Sequence, residues 1–218
     1  MYKPFGQYPK AVYRSFTKPE YLEDFLDYGR FRIRRIDSFR SIEDSGRRDQ
    51  SEGEARYQRP GIVTKVHFSR CSDETFETNE PSDVETSAQI GNPTYLFCTS
   101  RTSIDLNLMR SKFGDFVALI SEPRRLALDL CHYFQTSEYK LAGGIEGCCV
   151  QYTKDTVIQT ELSSFQIGQL SYSQKPEKYK EDKEFRYVAI FFHESQDGEF
   201  PTYLEIDLNK KLTYASRS

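Results

Sequence analysis

The chain contains no tryptophan, two methionines and three histidines among 218 residues. His67, His132 and His193 are scattered, and no pair has the spacing of metal ligands, so we predict no metal site. No apolar run approaches the roughly 20 residues that cross a bilayer. The N-terminal residues 1–6 lack the apolar core of a signal peptide. These absences predict a cytoplasmic protein with no membrane partner.

Cysteine pairing and phosphate-binding motifs are also missing. The five cysteines form no Cys-x-x-Cys pair, and the adjacent Cys148 and Cys149 point to opposite faces if they lie on a strand. We therefore expect reduced, mostly buried thiols. The sequence has no Gly-x-Gly-x-x-Gly, Gly-x-Ser-x-Gly or phosphate-loop motif, which removes the commonest nucleotide-binding and hydrolase signatures.

Phenylalanine and tyrosine are abundant, with 16 and 15 copies. Both residues favour strands and carry large apolar area, so we expect sheets to build the core. The net charge of −3 provides no long-range attraction to nucleic acid. Any polyanion would have to meet a local basic patch.

Alternation and turn residues predict an α+β fold: one strand-rich domain, residues 1–218, with mixed or largely antiparallel sheets and two or three packed helices. A polar stretch at about 69–92 predicts an exposed, mobile excursion. A helix is predicted after Thr17, with a capping box to Glu20 and Gly29 at its end; a second begins at Pro123. Predicted strands cover 11–16, 30–35, 61–68, 95–100, 116–120, 147–152, 165–172, 185–192 and 203–208.

Polar residues interrupt three of the predicted strands. Arg14 lies within the first strand, Thr99 and Ser100 end a middle strand, and Glu184 begins a late strand after a charged loop. Arginine binds phosphate oxygens, hydroxyls can fix a ribose, and a carboxylate can stabilise positive charge developing on a sugar carbon.

In this order the residues resemble the toxin-type mono-ADP-ribosyltransferases, which carry an Arg, a Ser-Thr-Ser-like step and a Glu. Cys98 occupies the first position of the Ser-Thr-Ser-like step. Asp182 lies two residues before Glu184, where the family often has Glu or Gln. The resemblance implies an ADP-ribosyltransferase-like fold, NAD as substrate, and a macromolecular acceptor, nucleic acid or protein. It implies catalytic roles for Glu184, Arg14 and Ser100, cofactor binding by Arg14, Thr99, Ser100 and Tyr172, and substrate binding by Tyr179. Because arginine binds phosphate, Arg32 is also predicted to bind the cofactor, and Arg34 and Arg186 to bind the substrate. Tyr172 or Tyr179 is expected as an exposed aromatic, and Arg14, Ser100 and Glu184 are expected in one cleft.

Segments over most of the chain also resemble a bacterial family of unknown function found in phage-defence or toxin-like settings. They are Tyr13-Arg-Ser-Phe16, Phe39-Arg-Ser-Ile-Glu-Asp44 with Asp49-Gln-Ser-Glu-Gly53, and Lys175-Pro followed by Glu184-Phe-Arg186. This resemblance implies an antitoxin or defence-system partner and gives no reaction.

Other interpretations of the same residues remain open. Arg14 can pair with a carboxylate, Thr99 and Ser100 can end a strand, and Glu184 can form a surface ion pair with Arg186. An arginine stripe, Arg30, Arg32 and Arg34, together with the acidic cluster at 43–52, favours a nucleic-acid-directed nuclease or binding protein as the alternative function. Glu181-Asp-Lys183 has the form of a nuclease Glu-x-Lys. An interaction module that uses residues 69–92 is a third hypothesis.

Overall fold

The computed structural model describes residues 1–41, 54–67, 75–89, 92–153, 157–158, 169, 172–192 and 200–218. In this part of the chain, helices α1 to α3 span Pro19–Glu23, Leu106–Phe113 and Pro123–Thr136. Strands β1 to β14 span Phe5–Gly6, Val12–Phe16, Arg30–Arg35, Glu54–His67, Thr75–Gln89, Thr94–Arg101, Phe116–Ile120, Leu141–Cys149, Gln151–Thr153, Val157–Ile158, Gln174–Pro176, Glu184–Phe191, Tyr203–Asp207 and Ala215–Arg217. The predicted strand-rich α+β class is confirmed.

A nine-stranded sheet organises the molecule, in the order β1-β8-β12-β6-β2-β7-β14. Strand β12 lies between β8 and β6 and is antiparallel to both. The other edge of β6 is shared, because β2 pairs with its C-terminal end and β3 pairs with its N-terminal end. Strand β13 extends the sheet beyond β3. A separate three-stranded sheet has the order β10-β4-β5, and a two-stranded sheet pairs β11 with β9.

The strand register divides the central residues between two faces of the main sheet. Residues directly opposite each other on neighbouring strands project from the same face, and successive residues alternate. Ser100 lies opposite both Glu184 and Tyr13, so these three share a face, which we call the Glu184 face. Arg14 and Phe185 project from the other face, which we call the core face.

Aromatic side chains fill the core face. Phe97 packs against Phe31 with ring centroids 4.6 Å apart and against Tyr187 at 5.7 Å. Helix α3 covers part of this face, and its Leu126, Leu130 and Phe134 are fully buried. The expectation that Phe and Tyr build a sheet core is therefore met by the packing of this face.

The first helix begins and ends near its predicted limits but lacks the predicted capping box. Lys18 is the N-cap and no side chain caps the helix, which begins with Pro19 at its first position. A π-helical turn, Asp24–Tyr28, continues α1 and stops at Gly29, whose φ of 66° is left-handed. Glycine reaches this conformation without the steric cost that a β-carbon brings.

The polar stretch at 69–92 contains a long strand, which sequence reasoning missed. Thr75–Gln89 pairs antiparallel with Glu54–His67, so this part of the excursion is one arm of a hairpin. Within the described residues, no helix is long and apolar enough to cross a membrane. Most of the strand predicted at 165–172 lies outside the described residues, and Tyr172, which is described, is helical and not extended.

Candidate functional site

The candidate site is centred on Glu184, the first residue of the central strand β12. Its side chain projects from the Glu184 face opposite Ser100, and only 6% of the residue is exposed. Directly opposed residues of an antiparallel pair have β-carbons about 5 Å apart. The register thus holds the predicted glutamate beside the predicted serine.

Two cations hold the Glu184 carboxylate. Arg186 Nε donates to Oε1 at 2.7 Å, and Lys175 Nζ lies 2.8 Å from Oε2. Burial alone would raise the pKa of Glu184, but the charges and hydrogen bonds of Arg186 and Lys175 hold it well below its usual value. Glu184 is therefore ionised at neutral pH.

Backbone contacts fix this ion cluster to its surroundings. Arg186 Nη1 donates to the Tyr172 carbonyl at 2.7 Å, and the Glu184 N–H donates to the Tyr152 hydroxyl at 2.7 Å. Arg186 is fully buried. A buried charge is stable only with such partners, so the structure gives Arg186 the contacts of a counter-ion, and its burial is at odds with the predicted role in substrate binding.

Thiols flank the cluster on both neighbouring strands. Cys98 on β6 and Cys148 on β8 both lie opposite Arg186. Burial, followed by the negative charge of Glu184, raises the pKa of Cys98 well above its usual value, and burial raises that of Cys148 to about 12. Both are free, as are Cys131 and Cys149. Neutral thiols are poor nucleophiles, so we assign neither a catalytic role.

A second buried carboxylate lies on the same face. Glu146 accepts hydrogen bonds from the Tyr172 hydroxyl at 2.5 Å and from Gln169 Nε2 at 2.9 Å. Burial raises its pKa, although the two hydrogen bonds oppose the shift. Tyr172 is 2% exposed, so its predicted place as an exposed recognition residue is wrong. Tyr179 is half-buried, and its ring lies 5.3 Å from Lys175 Nζ.

Arg14 does not share this site, contrary to the predicted convergence. Its side chain lies on the core face, with the guanidinium carbon 4.8 Å from the centroid of Phe97, and Nη1 donates to the Cys98 carbonyl. Thr99 also faces the core, where its hydroxyl donates to the Phe185 carbonyl at 2.9 Å. Both residues sit at odds with their predicted catalytic or cofactor-binding roles because strand alternation turns them away from Glu184.

The arginine stripe projects outward as predicted, and acids on β13 compensate two of its three members. Arg30 pairs with Asp207 at 2.9 Å, and Arg32 pairs with Glu205 at 2.7 Å. Arg34 lies opposite Leu96, four residues from Ser100, which is about 13 Å along a strand. The structure therefore does not bring Arg32 or Arg34 to Glu184, against their predicted cofactor and substrate roles.

The Glu-x-Lys of the nuclease hypothesis does not lie on a strand. Glu181 is in a 3₁₀ turn, Glu177–Asp182, and Lys183 has a left-handed φ of 46°. Asp182 is buried and pairs with the half-buried Lys112 at 2.9 Å. The acidic cluster at 43–52 lies outside the described residues.

Sequence reasoning missed Lys175 and Tyr152 as members of the site. Lys175 begins a predicted motif, yet nothing local indicates that it contacts a carboxylate nine residues later. Its position is set by β11, which pairs with β9 next to the end of β12. Searches against protein-family models, curated proteins and solved structures give no significant match.

Proposed function

We propose that this protein cleaves NAD at the nicotinamide–ribose bond and transfers ADP-ribose to a macromolecular acceptor. Glu184 supplies the carboxylate that stabilises the ribosyl cation and orients the acceptor. Ser100 braces the ribose beside it. An ADP-ribosyltransferase-like fold is part of the proposal.

The observation that carries the proposal is the ionised Glu184 carboxylate directly opposite Ser100. A carboxylate that stays charged at neutral pH suits electrostatic stabilisation of a cation, because that role requires a fixed negative charge and no proton transfer. Alternation places Cys98 and Ser100, the outer members of the hydroxyl-like step, on the same face as the glutamate. Of the three parts of the sequence resemblance, the step at 98–100 and Glu184 thus support one site, whereas Arg14 does not.

In the proposed reaction, the bond between the nicotinamide nitrogen and the ribose C1′ breaks, and its electron pair leaves with neutral nicotinamide. Positive charge develops on C1′ and the ring oxygen, close to the Glu184 carboxylate. A lone pair of the acceptor then forms the new bond to C1′, and the acceptor loses its proton to solvent. Glu184 remains ionised throughout, as its low pKa requires.

The biological setting follows from the sequence resemblances alone. A nucleic acid or a protein is the proposed acceptor, and a toxin or phage-defence effector is the proposed role. An antitoxin or defence-system partner would then restrain the activity.

Release of nicotinamide from NAD by the purified protein, with cell lysate as the acceptor source, tests the proposal. Glu184→Gln should lower the rate about 10²- to 10³-fold, the scale for removing one electrostatic group from an active site. Glu181→Gln, three residues earlier and exposed, is the matched control and should retain the wild-type rate. Circular dichroism establishes that each variant is folded.

Absence of nicotinamide release from the wild-type protein, or a folded Glu184→Gln variant with full activity, would end the transferase proposal. Salt-sensitive binding or cleavage of RNA or DNA without NAD turnover would favour the nucleic-acid alternative. The pairing of Arg30 and Arg32 with acids weighs against that outcome, because a compensated arginine releases fewer counterions on binding phosphate.

A further inference from the structure

A cavity of about 310 Å³ lies between the start of helix α3 and the segment 208–214, which joins β13 to β14. Its volume is at the lower end of the range for small-molecule sites in proteins. Among the described residues six side chains line it, and three of these are cations: Glu122, Arg125, Lys210, Lys211, Thr213 and Tyr214. Tyr214 belongs to the aromatic core of the core face, so the main sheet separates the cavity from Glu184.

The segment that carries the two lysines is fixed to the body of the protein. The Lys210 N–H donates to the Tyr28 carbonyl at 3.1 Å, and the Leu212 N–H donates to the Leu26 carbonyl at 2.8 Å. Asn209 has a left-handed φ of 49°, a conformation that asparagine adopts more readily than most residues. The lysines therefore project from a defined turn, which favours a preorganised binding site.

A buried acid orients one wall of the cavity. Asp129 is buried, its Oδ1 lies 2.6 Å from Lys210 Nζ, and its Oδ2 accepts from the Tyr214 hydroxyl at 2.6 Å. Arg125 is exposed, and its Nε lies 3.8 Å from Oδ1, which is beyond hydrogen-bond distance. Asp129 thus holds Lys210 and Tyr214 in place but leaves the donors of Arg125 available to a ligand.

Positive charge gathers here although it does not help the helix. Arg124 and Arg125 lie in the first turn of α3, where the helix dipole favours acids, and this turn has none. Lys211 pairs with Asp27 at 3.4 Å, but both side chains are exposed, so the pair contributes little to stability. Departures from local electrostatic preference are expected at functional sites. An anion in the cavity would offset this excess of positive charge.

We propose that the cavity binds a small phosphorylated ligand that also carries hydroxyl groups, of the sugar phosphate class. Arg125 donates two N–H groups to phosphate oxygens, which suits its planar fork. Lys211 and the remaining donors of Lys210 complete the phosphate contact. Glu122, the acid of the described lining, accepts from a ligand hydroxyl and so disfavours a bare anion. The site goes beyond the proposed function, because it requires neither NAD nor Glu184.

Isothermal titration calorimetry of the purified protein with ribose 5-phosphate and with inorganic phosphate tests the site. Arg125→Met and Lys211→Met should each weaken the binding of both ligands about tenfold or more, as the loss of a charged hydrogen bond does. Arg124→Met is the matched control, because Arg124 lies in the same helical turn and does not line the cavity. It should bind within about threefold of the wild-type protein, since solvent and salt screen an exposed charge outside the cavity.

Glu122→Gln separates a defined site from a general attraction of anions. It removes a negative charge from the lining, so inorganic phosphate should bind more tightly than to the wild-type protein. The advantage of ribose 5-phosphate over inorganic phosphate should shrink, because a neutral amide accepts a weaker hydrogen bond than a carboxylate. An unchanged affinity for inorganic phosphate contradicts the placement of the ligand beside Glu122.

The remaining outcomes separate this inference from the proposed function. Binding that depends on Arg125 and not on Arg124 sustains the site, whether or not the protein releases nicotinamide. Absence of saturable binding of ribose 5-phosphate below about 10 mM refutes it. Equal losses in Arg124→Met and Arg125→Met also refute it, because they indicate a diffuse attraction to the start of the helix. Thermal unfolding establishes that each variant is folded, and the exposed Lys211→Met carries the test if Arg125→Met does not fold.

Discussion

At the scale of the residue, two glutamates on one sheet face show how neighbours decide the state of a buried carboxylate. Glu184 and Glu146 are each 6% exposed. Two cations hold Glu184, so its pKa falls, whereas Glu146 receives hydrogen bonds from a neutral phenol and a neutral amide, so its pKa rises. The charge of the donors, more than the depth of burial, separates the two acids.

The raised pKa of Glu146 predicts a pH-dependent loss of stability. The folded state binds the Glu146 proton more tightly than the unfolded state, so its contribution is largest below the unfolded pKa, about 4.3. The free energy of unfolding falls as pH rises through that value and up to the folded pKa. Glu146→Gln should remove this decline, as measured by urea unfolding between about pH 4 and 8.

The exposed Glu138 provides the control for that series. Glu138→Gln should leave the slope of stability against pH unchanged. Glu184 contributes to the pH dependence of stability with the opposite sign, because its pKa is lowered in the folded state. Its contribution to the free energy of unfolding is present above the unfolded pKa and is lost as pH falls. If the free energy of unfolding of Glu146→Gln falls with pH as steeply as that of the wild-type protein, the decline does not come from Glu146.

At the scale of the element, β8 shows how one strand is fitted to its neighbours. A β-carbon on Gly147 would lie 2.5 Å from the Tyr8 ring, which is too close for any contact. The Tyr8 hydroxyl donates to the Ile145 carbonyl at 2.9 Å, so the ring cannot readily withdraw. Gly143, in the same strand, has no atom within 4 Å of such a carbon.

Gly147→Ala should therefore lower the free energy of unfolding by about 1–3 kcal/mol, the usual cost of overpacking. Gly143→Ala should change it by less than about 0.5 kcal/mol. The midpoints of urea unfolding measure the change in stability of each of the two glycine variants. Adding Tyr8→Leu to Gly147→Ala should give a combined loss smaller than the sum, because both variants change one contact. Equal losses from the two glycines would contradict this account.

At the scale of the whole molecule, the main sheet separates residues that the sequence suggests belong together. Arg14 stacks on Phe97 within the core face, while Ser100 and Glu184 lie on the opposite face. Any ligand of the Glu184 face is thus shielded from Arg14 by the sheet itself. The site and the arginine are expected to respond differently to mutation.

Arg14→Met should destabilise the protein by about 1–3 kcal/mol, because it removes the contact with Phe97 and the hydrogen bond to the Cys98 carbonyl. Nicotinamide release per folded molecule should stay within about twofold of wild type. Ser100→Ala, on the Glu184 face, should slow release with a small effect on thermal stability. Loss of release by a fully stable Arg14 variant would mean that Arg14 reaches the ligand.

Much of the element plan could be predicted from the sequence, since the signals are local. The strand Phe116–Ile120 is predicted with its observed limits, and the helix that begins at Pro123 is predicted with its observed start. Helix α2 was missed, although Asp105 caps it by accepting from the N–H groups of Asn107 and Leu108. Its apolar stripe is short, and a short stripe on a polar helix gives a weak periodic signal.

The sequence by itself determined which residues are apolar, which strands alternate, and that Arg30, Arg32 and Arg34 project outward opposite Phe31 and Ile33. It also singled out Glu184, because a charged loop that runs into an apolar strand is visible without coordinates. Only the tertiary structure decided which face Arg14 occupies and which cations meet Glu184. The physical reason is that side-chain direction in a sheet changes with every residue, so cross-strand register, which depends on distant segments, selects the partners.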